Sequence, residues 1–398
     1  MVYITFPVTP SSRQMTFEEM LANIDISKLM RNQDTTSSRT VLCNRVPDRV
    51  MSVTNVPDMI AKLEVFNKSY EHLLAAERHS LYKDRYYIPK KSYHKKKAAG
   101  QPTSKKDWRP IDEPKPELMN ALRVLQSILK SFMLCDHHTS AYAYIDGRST
   151  IQCVQKHQRQ DNHWFGKFDF SGFFPSITPE YVMYMFEMIY PFNLILQDRR
   201  GAEALRKAVE LGFLDNSLPQ GTPLSPWLTN VIMIPFDHTM ANALIKFPNE
   251  KGGTDRITYT RYADDINVSC KVQYDIKKVE RQIVNTLEKF HAPFSLNTEK
   301  THYGSRSGHN FALGVCLNKD NKITLGHRRN KEMKAMVNNY ILDKKNGKPW
   351  NIEELAILRG NLNYFNQVDS ETFAYVVNFF ENKYGVNVMD SIAVDMSA

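Results

Sequence analysis

Asp264 and Asp265 stand side by side in TRYADDINVS (260–269), between two runs whose β-branched and aromatic residues (Ile257, Tyr259, Ile266, Val268) read as strands. Adjacent carboxylates repel, so a fold either leaves such a pair in a wet turn or gives it a cation to hold. Taken alone, an Asp-Asp pair in a hairpin is an ordinary hydrophilic turn. Two features favour the cation. The flanking runs are apolar enough for the centre of a sheet, and a third carboxylate, Asp169, ends another short apolar strand, FGKFD. A strand end and a hairpin tip in one sheet can place three carboxylates around a single spot. Oxygen ligands with no soft partners suit Mg²⁺, which keeps waters and takes its remaining oxygens from a substrate phosphate. Two such ions about 4 Å apart stabilise the attacking and the leaving oxygen of an in-line phosphoryl displacement. Positioning and charge neutralisation then carry the rate.

The charge balance suits a phosphate-rich partner. Lysine and arginine outnumber aspartate and glutamate by 52 to 43, a formal charge of +9. At 398 residues with 42% hydrophobic residues, the chain is globular and long enough for two or three lobes. Its cysteines (Cys43, Cys135, Cys153, Cys270, Cys316) are odd in number, and none forms a C-x-x-C pair. That argues against a disulfide framework or a zinc site and fits a reducing cytosol. No run reaches membrane-span length, and MVYITFPVTPSSRQ lacks the order of a signal peptide. The expectation is a soluble, cytoplasmic protein that binds no membrane.

Along the chain, Thr16 and Glu19 read as the capping box of an amphipathic helix running to Met30, and RNQDTTSSRT breaks it. Pro57 to His79 repeats the helical pattern, so residues 1–80 form a helical N-terminal extension. A lysine-rich segment follows, YYIPKKSYHKKKAAGQPTSKKDWRPIDEPKPE, in which Tyr86, Tyr87 and Trp108 interleave with the charge. A solvated loop would look similar, but aromatics stack on bases while cations meet phosphates. Helices are expected at 118–134, from Thr178, at 202–211, 225–244 and 276–290, and strands at 164–169, 257–271, 310–317 and 322–325. After that the pattern is helical to the C-terminus. The fold class is α+β, a small antiparallel sheet flanked by helical lobes.

Five segments in order, FDFSGFFPSI, LPQGTPLSP, YADD, LNTEKTHY and ALGVCLN, resemble the palm motifs of reverse transcriptases, over about Tyr86 to Leu317. ILRGNLNYF resembles the thumb segment of bacterial members. The resemblance implies a right-hand polymerase: fingers and palm over 81–320 and a helical thumb over 321–398. It implies that Asp169, Asp264 and Asp265 bind two Mg²⁺ ions, with the Phe170 carbonyl as a further ligand. Lys300 matches the lysine that protonates departing pyrophosphate, and Arg109 the finger arginine that grips the triphosphate, with Lys90 a looser match. Phe174 matches the ring under the incoming sugar, where a 2′-hydroxyl would clash. Its other reading is core packing. Gln220, Gly221 and Ala263 match nucleotide contacts, Arg148 a fingers-side arginine on nucleic acid, and Leu313 with Gly314 the primer-gripping hairpin. Basic residues including Arg328 and Arg329 cluster where a thumb would hold duplex phosphates.

The pattern looks most like bacterial retron and defence-associated reverse transcriptases. Where retron enzymes show N-A-x-x-H this chain has CVQKH, keeping only His157, and where they show V-T-G it reads Ala312-Leu313-Gly314. Both departures point toward the defence-associated branch. The expected partners are a structured noncoding RNA template, a DNA primer or product, and deoxynucleoside triphosphates; the oligomeric state leaves no mark. Template-independent or protein-primed DNA synthesis is one alternative, and an inactive RNA-binding scaffold another. Three intact aspartates weigh against the scaffold. An RNA-dependent RNA polymerase would favour a smaller or polar residue at Phe174.

Overall fold

The structure, a computed structural model, describes residues 55–249, 252–306 and 313–397. The helix expected at 16–30, Cys43 and the start of the strand expected at 310–317 lie outside them. The elements run α1 (Val56–Ser69), β1 (Tyr86–Pro89), β2 (Trp108–Ile111), α2 (Pro116–Phe132), α3 (Thr150–Gln158), β3 (Trp164–Ser171), α4 (Pro179–Phe186), α5 (Arg199–Glu210), α6 (Leu224–Ile232), α7 (Ile234–Ile245) and β4 (Thr258–Tyr262). They continue with β5 (Asp265–Cys270), α8 (Ile276–Lys289), β6 (Ser295–Leu296), β7 (His302–Ser305), β8 (Cys316–Leu317), β9 (Ile323–Thr324), α9 (Gly326–Lys345), α10 (Ile352–Val368), α11 (Ser370–Tyr384) and α12 (Val388–Ser397). The helix Lys91–Ala98 in the lysine-rich segment, the small strand pair Phe247–Pro248 with Thr254–Asp255, and single turns are left unlabelled.

A five-stranded sheet, ordered β4-β5-β3-β6 with β7 also on β3, sits at the centre. All its pairings are antiparallel. Alternation along β3 sets its faces: Phe168 and Phe170 are buried in the core, and Lys167 and Asp169 project to the other side. One core cluster joins this sheet to α1, α2, α4 to α8. A second joins α9 to α12 with Val315, Leu317 and Val154 of α3.

The helix ends follow local chemistry. Thr178 caps α4, its Oγ1 accepting from the Tyr181 N–H, with Pro179 in the first turn. Asp275 caps α8 in the same way. The single helix expected at 225–244 is two, α6 and α7, parted at Met233. Pro235 has no N–H to continue the ladder and sits in the first turn of the second helix. Strands β6 and β7 were not expected from LNTEKTHY. Their polar residues show no strand alternation, and β3 supplies the partner edge.

Residues 55–80 do not stand apart. Ile60, Leu63 and Phe66 of α1 lie in the main core, and Asn67 donates to the Ala204 carbonyl of α5 at 2.9 Å. Cys135, Cys153, Cys270 and Cys316 are free thiols, and no described helix is long and apolar enough to cross a membrane.

Candidate active site

The register of β3 and β5 sets Asp169 directly opposite Asp265. Tyr262 pairs with Asp265 to close the β4–β5 hairpin, leaving Ala263 and Asp264 as a two-residue turn. Ala263 has φ 55°, the left-handed region that favours glycine, and is 95% removed from solvent, with a relative exposure of 5%. The Phe170 N–H donates to the Asp264 carbonyl at 3.1 Å, tying the turn to the end of β3. Asp264 and Asp265 are half-buried, and Asp169 is buried at 9% exposure.

Two lysine heads enter this acidic group. Lys300, in the turn between β6 and β7, places Nζ 2.7 Å from Asp169 Oδ2. Lys167, two residues before Asp169 on the same face of β3, places Nζ 3.0 Å from Asp265 Oδ1. Burial, then the charge of Asp265, holds the Asp264 carboxyl above the usual range, and Arg109 opposes the rise. Burial raises Asp265 as well, against Lys167. Among the described residues, no three acidic, imidazole or thiol groups are gathered closely enough to hold one ion. The donors are nonetheless all hard oxygen, and a divalent cation would favour the ionised carboxylates that burial disfavours.

The remaining candidates surround this centre unequally. Arg109 is exposed on β2, and its charge reaches Asp264. The Lys90 N–H holds the Asp107 carbonyl across the same hairpin at 2.8 Å. The Gln220 carbonyl accepts from the Asp112 N–H at 2.9 Å, so the PQG turn lies against the end of β2. Gly221, with φ 116°, sits too tight for a side chain without a shift: a Cβ would lie 3.0 Å from the Asp112 carbonyl oxygen and from Ile111. Phe174 is half-buried, packed on the core through Phe173 and edge-on to Tyr144. Of its two readings, the contacts seen here are those of packing.

Arg148, expected on nucleic acid, turns into its own loop. Its Nη1 donates to the carbonyls of His138, Thr139 and Ala141, and its guanidinium lies over the Tyr142 ring at 5.4 Å. Leu313 and Gly314 form a turn with φ 54° and 90°. Arg328 and Arg329 are exposed in the first turn of α9, and Arg328 Nε pairs with Glu332 at 2.8 Å.

The structure adds residues that the sequence did not mark. Arg261 and Asp237 form a fully buried ion pair behind the Asp turn. The guanidinium also donates to Ala263 O (3.1 Å) and Asn230 Oδ1 (3.2 Å), and Tyr259 Oη donates to Asp237 at 2.6 Å. This fork holds the strained turn from within. On the opposite face of the hairpin, His157 meets Ser269 Oγ at 2.5 Å and Thr260 Oγ1 at 2.8 Å. Lys167 had a readable signal, since it shares the alternation phase of Asp169, and His157 had one as the histidine kept from N-A-x-x-H; Arg261 and Asp237 had none.

A central antiparallel sheet carrying converging carboxylates, within an α+β frame, defines a palm-type polymerase. The chain belongs to the reverse transcriptase (RNA-dependent DNA polymerase) family, which it matches over residues 88–332. It is an RNA-directed DNA polymerase of the bacterial, retron-like kind. It is 26% identical over 292 residues to the retron Ec83 reverse transcriptase of Escherichia coli, covering 72% of this chain and 85% of that protein. With the retron Ec73 reverse transcriptase of Escherichia coli it shares 30% identity over 199 residues, 49% of this chain and 60% of the other. Among solved structures, a telomerase from Candida albicans aligns with a TM-score of 0.38 at 13% identity, over 72% of this chain and 53% of that one. The similarity to retron enzymes holds although the N-A-x-x-H and V-T-G elements are incomplete.

Proposed function

We propose that this chain synthesises DNA at Asp169, Asp264 and Asp265, copying a structured noncoding RNA, and that this synthesis serves antiphage defence. The observation that carries the site is the in-register pairing of Asp169 with Asp265, beside a carboxylate held above its usual range. Two Mg²⁺ ions would supply charge neutralisation for the attacking and leaving oxygens. The chain's own residues do the rest. The three carboxylates, with the Phe170 carbonyl, form the oxygen cradle, and Lys300 and Lys167 hold Asp169 and Asp265 in place beforehand. Lys300, freed from Asp169, is the proton donor to the departing pyrophosphate. Arg109 and Lys90 take the triphosphate, Gln220, Gly221 and Ala263 border the nucleotide, and Phe174 excludes a 2′-hydroxyl. Leu313 and Gly314 grip the primer, and Arg148 stiffens the fingers loop near the template.

In this reading residues 81–320 act as fingers and palm, 321–398 as thumb and 1–80 as an extension. The defence role draws on the motif pattern and on the retron names of the relatives.

The test is incorporation of each labelled deoxynucleotide with Mg²⁺, before and after nuclease digestion of copurifying RNA. Templated synthesis stops on digestion; synthesis that persists favours the template-independent alternative. Asp264→Ala with Asp265→Ala abolishes incorporation and leaves RNA retention intact, and surviving incorporation overturns the metal assignment. Phage plating on cells carrying the same double variant reads the defence role: protection that persists without synthesis removes it.

A further inference from the structure

Tyr144 presents a combination that packing alone does not explain. It is a bulky aromatic residue with φ 60°, in a region where such side chains are strained. Yet 54% of it stays exposed, so the strain gains no core burial. Strain of this kind persists only where the surroundings over-determine it, and here they do. The preceding residue, Ala143, is fully buried, and its carbonyl accepts from Asn230 Nδ2 at 2.8 Å. Asn230 is itself held by Arg261, whose backbone carbonyl accepts from the Tyr142 N–H at 2.9 Å. The network that fixes the Asp turn therefore also fixes the backbone that aims Tyr144.

What Tyr144 is aimed at can be read from its neighbours. Its ring stands edge-on to Phe174, with centroids 6.4 Å apart and planes at 80°. Its phenol is raised by crowding and then by the charge of Asp264, and Arg109 pulls the other way. The ring thus stands edge-on to Phe174 and within electrostatic reach of Asp264 and Arg109. Two rings near right angles make a corner, in which Tyr144 is 54% exposed and Phe174 half-buried.

We infer that Tyr144 is a substrate-contacting, specificity-determining residue, whose open face stacks on the incoming deoxynucleoside while Phe174 forms the adjoining wall. The inference rests on the assignment of Asp264, Arg109 and Phe174 above. Stacking needs the ring and not the hydroxyl, so Tyr144→Phe retains function. Tyr144→Asn keeps a residue that tolerates left-handed backbone and removes the ring, which separates the ring from the turn it sits on.

The experiment measures deoxynucleotide KM and kcat with the full-length protein and its copurifying RNA. Tyr144→Ala and Tyr144→Asn raise KM by about tenfold or more, the loss of one ring–base stack. RNA retention stays unchanged, and Tyr144→Phe matches the parent. The inference is overturned if Tyr144→Asn leaves KM at the parent value, whatever Tyr144→Ala does, because the backbone would then be the whole effect. It is also overturned if the loss follows weakened RNA retention, which would put the ring on the template. Phe174→Val, assayed in parallel for ribonucleotide use, reads the gate separately. An unchanged preference there removes the gate without altering what the Tyr144 KM reports.

Discussion

His157 uses both ring nitrogens on the β4–β5 hairpin, one on Ser269 and one on Thr260. A neutral imidazole can donate from one and accept at the other, with the hydroxyls turning to suit. Full burial, helped by the charge of Lys156, pushes its pKa from 6.5 down to about 3. His138, also buried, is pushed down to about 4. A histidine depressed in the folded state takes up its proton more readily when unfolded. The stability it contributes is complete above 6.5 and is lost as pH falls from there toward about 3. Denaturant unfolding at stepped pH should therefore show stability falling across that window, and His157→Asn should flatten the slope. A variant slope equal to the parent's would remove His157 from the account. The three aspartates could be picked out in the sequence because they end or join apolar strands within recognisable motifs. Arg261 and Asp237 were not, because nothing in the order of letters says that a charged pair will be buried together.

Gly221 shows how one position sets the relation between two elements. With φ 116° and the Asp112 carbonyl 3.0 Å from where a Cβ would be, the PQG turn approaches β2 as only glycine permits. Gly221→Ala should lower the unfolding free energy by about 1–3 kcal/mol. It should also raise the deoxynucleotide KM, because β2 and its Arg109 must move to make room. Denaturant melts and initial rates check the two halves, and an unchanged KM would show that the turn does not place Arg109. Helices with clear caps, such as α4 from Thr178 and α8 from Asp275, were readable to within a few residues. The break between α6 and α7 was written in Pro235 and overlooked. Strands β6 and β7 had no pattern to read, since a two- or four-residue polar strand exists only through the edge it joins.

Across the molecule, the strands carrying Asp169 and Asp265 belong to the core built around the sheet, and α9 with its exposed arginines to the second core. Arg328 is 89% exposed in its side chain, so its pairing with Glu332 adds little to stability and leaves the charge open to a polyanion. Each phosphate neutralised adds close to one unit to the dependence of log affinity on log salt. Arg328→Gln with Arg329→Gln should shrink that slope by about one to two units, with little change in thermal unfolding. Filter binding of a primer–template at stepped salt measures it, and an unchanged slope would place the duplex elsewhere.

Order along the chain was enough to identify the enzyme, because five segments follow one another as the palm motifs of reverse transcriptases do, and each is a short local signature in a strand or turn. The α+β class and most helix ends followed for the same reason: periodicity and capping act over a few neighbouring residues. Folding in three dimensions was needed to set Asp169 across from Asp265, to bury Arg261 beneath their turn and to bring Tyr144 against Phe174. Those pairs are joined by burial and by hydrogen bonds between distant segments, and such forces act on separation in space, which the spacing of letters does not encode.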